Sequence, residues 1–174
     1  MKLPQGRLVR QRVVADPGTP LANALDAELT GYARLESQDA LLLDAEGVGV
    51  LTFERGVPVV AYHTGTDAAG SAALADIAVA GPYRLELYEL DAEVLEDVHA
   101  AEELRVPPDG PANRLAGDPT LAERTRKAAP DWRAADAAED AGAVVAFLED
   151  EAKIERIRER AREEAEQRAA EWDL

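Results

Sequence analysis

The pattern of apolar and polar positions divides the chain into a mixed first part and a helical last part. Residues 7–15 read as an opening strand, in which Leu8, Val9, Val13 and Val14 stand among Arg7, Arg10 and Arg12. Asp16, Pro17 and Gly18 supply turn chemistry. Thr19 then offers an N-cap and Pro20 a first helical position, for a helix whose apolar face is Leu21, Leu25 and Leu29 and which should stop at Gly31. Short strands are expected over 31–36 and 39–43, with a turn over 44–47. Alternation on both sides of Glu54, Arg55 and Gly56 predicts a β-hairpin over 47–63. Pro58 has no N–H to give a ladder, so it belongs at a strand start or on an edge. Thr64 to Asp67 should cap a helix over 67–80 that buries Ala73, Leu74, Ile77 and Ala78, and Gly81 with Pro82 should end it. Tyr83 to Leu90 alternate as a half-buried strand, and Asp91 opens a short helix presenting Val94, Leu95 and Val98.

The character changes near residue 105. Pro107, Pro108, Gly110 and Pro111 mark a linker, a short helix is expected over 119–128, and Pro130 breaks it. From 137 the composition favours helix almost to the end. Val144, Phe147, Leu148, Ile154, Ile157 and Ala161 form an apolar seam, and the intervals from Ile154 to Ala165 and from Ala161 to Trp172 fit an eleven-residue pattern. Such a seam either packs on the protein's own domain or pairs with a second copy as a coiled coil. Trp172, at the end of a polar stretch, points to a packing partner in both cases. The expected class is α+β: a small, mostly antiparallel sheet with hairpin 47–63 and packed helices, followed by a long C-terminal α-helix. The expected parts are an α+β domain over 1–104, a Pro/Gly-containing linker with a short helix over 105–136, and a charged helix over 137–174.

Composition narrows the chemistry. Hydrophobic residues reach 47% but aromatics only 5%, so the core is alanine-rich, with few large anchors such as Phe53, Tyr62, Tyr83 and Phe147. The absence of cysteine excludes a disulfide framework, a thiolate metal site and a cysteine nucleophile. The N-terminus lacks the apolar stretch of a secretory signal, and no run reaches the roughly 18 apolar residues of a membrane span. A cytoplasmic location without an integral membrane segment is therefore expected. The 35 acidic residues outnumber the 19 basic ones, giving a net charge of −16. Only Lys2, Lys127 and Lys153 are lysines. The acidity is spread along the chain rather than gathered in one patch. That favours a surface adapted to high salt, where repulsion is screened over a few Å, above a docking surface for cations. It also argues against nucleic acid, which needs a basic surface.

Few residues carry a chemical signal. His63 and His99 are far apart and lack any histidine spacing suited to zinc, so no metal and no cofactor are expected. His99, at a helix end, reads as a complement to the helix dipole. The stretch from Gly65 to Gly70 opens a helix after a strand, where N–H groups can hold an anion, but it lacks the lysine and hydroxyl of a phosphate loop. Glu149, Asp150 and Glu151 read as a solvated helix face. Arg34, His63 and Thr66 remain as the candidate ligand-binding residues near the end of the hairpin.

Gly47, Leu51, Phe53, Glu54, Arg55, Gly56, Pro58, Val59 and Ala61, continued by Gly70, Ala73, Leu74, Gly81 and Tyr83, resemble the hairpin, helix and closing strand of PATAN-type domains. These are α-inserted β-domains of prokaryotic signalling proteins. The resemblance covers residues 19–90 and implies a non-enzymatic protein-interaction module. The chain as a whole resembles a haloarchaeal family. The leading expectation is thus an adaptor or regulatory protein of a halophilic cytoplasm. It would present a sheet edge or hairpin to a protein partner, and Val144, Phe147, Leu148, Ile154, Ile157 and Trp172 would dock or form a homodimer. The alternative is a small-molecule or anion-binding protein or enzyme using Arg34, His63 and Thr66. A third possibility is contact with a membrane or assembly through Arg7, Arg10 and Arg12.

Overall fold

The computed structural model describes residues 3–37, 47–78, 82–131 and 133. The chain divides into two units, Met1–Ala134 and Ala135–Leu174, and the described residues all belong to the first. The expected strand over 39–43 and the expected helix over 137–174, with its seam from Val144 to Trp172, lie outside them.

In chain order the elements are β1 (Arg7–Val14), α1 (Gly18–Asp26), β2 (Gly31–Ser37), β3 (Gly49–Glu54), β4 (Val57–His63), β5 (Ala68–Ala69), α2 (Gly70–Ile77), β6 (Tyr83–Glu89), α3 (Ala92–Ala100) and α4 (Pro119–Ala128). A 3₁₀ turn at Glu102–Leu104 and a π-type turn at Ala112–Ala116 lie between the last two helices. The class is α+β, with one six-stranded sheet in the order β1-β6-β2-β3-β4-β5. Every pairing is antiparallel.

The expected hairpin forms as β3 and β4. Its two-residue turn, Arg55 and Gly56, has positive φ at both positions (49° and 80°), which matches the twist of the flanking strands. Gly56 is also required by contact, since a Cβ there would come within 2.6 Å of the Ala24 carbonyl oxygen. Alternation in β6 works as expected: Tyr83, Leu85 and Leu87 are buried and join Ala33, Leu35, Leu51, Phe53 and Ala61 on one sheet face. Leu21 and Ala24 of α1, Ala73, Leu74 and Ile77 of α2, and Leu121 and Ala122 of α4 cover that face. Burying a side chain such as Phe53 contributes about 1.5–3 kcal/mol.

Several boundaries differ from expectation, each for a local reason. Helix α1 starts at Gly18 rather than after Thr19, because Asp16 Oδ1 accepts the Gly18 N–H at 2.8 Å. Gly31 does not stop that helix. The helix ends at Asp26, and Gly31 opens β2 at φ +153°, where a Cβ would run into the Tyr88 carbonyl oxygen. Helix α2 begins at Gly70, not Asp67, because Ala68 and Ala69 first pair with Tyr62 and His63. Of the expected face of α3, only Leu95 is fully buried; Val98 is half-buried and Val94 exposed.

The stretch expected to be a linker is part of the core as far as it is described. Val106, Pro108, Pro111 and Ala112 are buried, Asp109 receives hydrogen bonds from Asn113 (3.2 Å) and Arg126, and α4 packs on the same face as α1. The short helix falls where expected. Asp118 caps it by accepting the Leu121 N–H at 2.9 Å, and Pro119 takes its first turn. Prolines signalled a break in periodicity correctly, but a break in periodicity is not a break in packing.

The two edges of the sheet are treated differently. The outer edge of β4 is closed along its length. Residues Tyr62 and His63 pair with β5, Val60 bridges to Arg105, and Val106 N–H donates to Val59 O at 3.0 Å. The buried Arg133 guanidinium then donates to Pro58 O (2.6 Å) and Val106 O (2.8 Å). On the other edge, β1 pairs with β6 only, and among the described residues nothing lies along its outer side.

Candidate functional site

An eight-residue strand open along its outer edge is a template for pairing, and proteins usually blunt such edges. In β1 seven of eight residues are exposed and only Val14 is partly buried. Among the described residues four large hydrophobic side chains are exposed, and three of them, Leu8, Val9 and Val13, belong to this strand.

Its arginines are brought together by a bulge. Arg7 and Arg10 are three residues apart, a spacing that puts side chains on opposite faces of a regular strand. The register shifts between Leu8 and Arg10, so that Arg7, Arg10 and Arg12 stand opposite Glu89, Leu87 and Leu85. Those three partners alternate along β6, so all three arginines share one face. Leu8, Gln11 and Val13, opposite Tyr88, Glu86 and Arg84, share the other. Arg7 is paired with Glu89. Arg10 and Arg12 have no ion-pair partner among the described residues. The other cations in the neighbourhood of α4 differ: Arg55 meets Glu28 at 3.3 Å, Lys127 meets Glu123 at 2.7 Å, Arg124 pairs with Asp26 and Arg126 with Asp109. Three of the four cations that line a 590 Å³ hollow beside α4, Arg55, Arg124 and Lys127, are thus ion-paired, and the fourth, Arg133, donates to backbone carbonyls.

The sheet face beside Leu8 and Val13 is the one turned away from the core helices. Helix α3 is tied to one end of it through His99, whose Nε2 lies 2.9 Å from Thr52 Oγ1. The histidine is only 13% exposed, and burial, the largest influence, pushes its pKa down; Glu54, 3.7 Å away, opposes this in part, and Arg133 and Arg105 reinforce it. His99 therefore acts as a neutral tether near pH 7 and does not supply the charge expected of a dipole complement. Farther along the same face a hollow of 390 Å³ is lined by Tyr32, Arg34, Val50, Tyr62 and Tyr88.

The three candidate ligand residues do not converge. His63 Nδ1 accepts the Thr66 N–H at 3.3 Å and lies 3.0 Å from Thr66 Oγ1, which donates to Asp76 Oδ2 at 2.5 Å. The hydroxyl proton is committed to Asp76 and the imidazole lone pair to the backbone. The arrangement braces the end of the hairpin against α2. Arg34 stands on the opposite sheet face, 3.5 Å from Glu86. The sequence reading overlooked Asp76, the bulge at Val9 and the company of Arg34. The odd interval from Arg7 to Arg10 was a signal for the bulge. Nothing local announces that β6 lies between β1 and β2.

The family model described as Domain of unknown function (DUF8572) matches residues 2–174, nearly the full chain. The chain belongs to this family. The match takes in β1 and both sheet faces together, so the open edge is internal to the family's domain and not an appendage to it. Neither the curated proteins nor the solved structures compared with the chain contain a match. Function is accordingly argued from the site itself.

Proposed function

We propose that this DUF8572 protein is a non-enzymatic interaction module, of adaptor or regulatory type, that docks its partner by strand addition on the outer edge of β1. The observation that carries the reading is the contrast between the two sheet edges. One is sealed by β5, by residues 105–106 and by Arg133. Among the described residues the other is left open over eight residues, with apolar side chains on one face and arginines on the other. Main-chain hydrogen bonds of an added strand supply affinity, and alternate side chains select the partner. The partner strand would carry acidic residues on the arginine face and apolar ones on the face of Leu8 and Val13.

A second copy of β1 is a poor match. Antiparallel pairing of two such strands sets arginine beside arginine on the same face, and like charges opposite one another destabilise a ladder. The acidic composition fits a halophilic cytoplasm, where the Debye length falls to about 3 Å at 1 M salt. There only contact pairs count, so Arg10 and Arg12 choose the partner more than they attract it. The PATAN-like pattern supports the same class of role. The apolar seam read over 144–161 adds a second docking or dimerising element to this proposal.

Two synthetic peptides test it: one alternating glutamate with valine, one alternating lysine with valine. The glutamate peptide should bind the native protein and weaken at least tenfold on Arg10→Glu/Arg12→Glu, while the lysine peptide gains on that variant. Equal binding of the two peptides to both proteins, or binding of neither, would remove the proposal.

A further inference from the structure

Tyrosine is scarce in this chain, with four in 174 residues, yet Tyr32, Tyr62 and Tyr88 together line one hollow of 390 Å³ on the open sheet face. Such a volume lies within the range of about 300–1,000 Å³ typical of small-molecule sites. The rings are set firmly. Tyr32 and Tyr88 stack with centroids 4.8 Å apart and planes inclined by 13°. The Tyr62 hydroxyl donates to Asp67 and the Tyr88 hydroxyl donates to Glu86 at 2.9 Å. Leu3 and Gln5 form a rim across one side. Gly6 lets that rim lie close, since a Cβ there would be 2.6 Å from Glu89 O and 3.1 Å from Tyr88 Cβ.

Beside Arg34 and Tyr88 of the lining stands Glu86. Its carboxylate is 16% exposed and is approached by four donors: Tyr88 Oη, Gln11 Nε2 at 3.2 Å, Arg84 at 3.5 Å and Arg34 at 3.5 Å. One carboxylate thus answers two guanidinium groups. Arg34 touches it with one nitrogen at the limit of contact and keeps 47% of its side chain exposed, at the wall of the hollow. Its guanidinium, held by one nitrogen to Glu86 and interacting with the Tyr88 hydroxyl, keeps further N–H donors beside the tyrosine rings and the Val50 side chain, which suits a flat ring with one negative group. The ring would lie against aromatic and apolar surface, and the anion would take the free donors of Arg34.

We infer that the tyrosine hollow is a binding site for a small aromatic carboxylate, held by Tyr32, Tyr62 and Tyr88 against its ring and by Arg34 at its carboxylate. The site is independent of the β1 edge and stands if strand addition fails. Indole-3-acetate is the probe, with indole and acetate as its separate halves, followed by NMR shifts of the backbone amides of Tyr32, Arg34, Val50 and Tyr62 in the full-length protein. Saturable shifts at these residues are expected with indole-3-acetate. Indole and acetate should each bind at least tenfold more weakly. Arg34→Gln should weaken indole-3-acetate about tenfold or more, the loss expected for a charge-assisted hydrogen bond, while leaving indole unchanged. Tyr62→Ala should weaken both ring compounds. Arg34 is a surface side chain, so Arg34→Gln should melt like the native protein, and a matching melt excludes misfolding as the cause. Three results would overturn the site: no saturable shift, shifts matched by acetate alone, or equal affinity in native and Arg34→Gln proteins.

Discussion

Arg133 offers a quantitative test of how residues 105–133 belong to the domain. The residue is 3% exposed, and its guanidinium donates at 2.6 Å to Pro58 O and 2.8 Å to Val106 O, with Val59 O farther away at 3.5 Å. Replacement by methionine keeps most of the apolar volume and removes the donors. Two hydrogen bonds from a charged group are worth roughly 1.5–3 kcal/mol each. Part of that is returned, because the native state no longer has to desolvate a cation, a term of several kcal/mol before its bonds are counted. The two carbonyls meanwhile lose their partners in a buried place. The net expectation is a loss of about 3 kcal/mol. Urea unfolding at fixed high KCl measures it, as a lower midpoint with an unchanged slope. Arg133→Lys should recover little, since one ammonium cannot span both carbonyls in the fork geometry of arginine. If Arg133→Met shifted stability by less than about 0.5 kcal/mol, the size of an ordinary surface change, the sealed edge of β4 would not depend on this clamp.

Two further outcomes follow from the fold. Burial holds the folded pKa of His99 below its ordinary value, so the unfolded chain binds the extra proton first; its contribution to stability is complete above about pH 6.5 and is lost as the pH falls below that value. Comparing unfolding at pH 7.5 and pH 5 should show a smaller pH-dependent loss in His99→Gln than in the native protein; identical slopes would place the histidine in water. Gly31→Ala forces a Cβ toward the Tyr88 carbonyl oxygen in a positive-φ conformation and should cost about 3 kcal/mol or more, read as a fall in melting temperature, whereas a neutral result would contradict the β2–β6 register.

What the sequence made legible was whatever is decided within a few residues. The hairpin was marked by alternation around Glu54, Arg55 and Gly56, and the Arg-Gly pair needs positive φ at both places. Helix α4 carries its own cap in Asp118 and Pro119. What failed was decided by distant partners. The starts of α1 and α2 shift because Asp16 and the β5 pairing compete with the expected caps. Val106, Pro108 and Pro111 have loop chemistry but pack on a sheet edge more than forty residues away in sequence, as the contact from Val106 to Val59 shows. Of the site, Arg7, Arg10 and Arg12 were visible as a cluster, but the common face that gives them meaning depends on a bulge against β6. Arg34 was grouped with His63 and Thr66, but it stands on the opposite sheet face beside Glu86. Its companions Tyr32 and Tyr88 meet only because a strand from residues 83–89 inserts beside β2.

The measurement closest to the central claim is amide hydrogen exchange along β1 and β4, with and without the glutamate–valine peptide. In the free protein the outward amides of β1 should exchange fast and those of β4 slowly. Saturating peptide should slow the β1 amides at least tenfold and leave β4 unchanged. Slow exchange of β1 in the free protein, or protection by the peptide that falls elsewhere and leaves β1 untouched, would contradict the account.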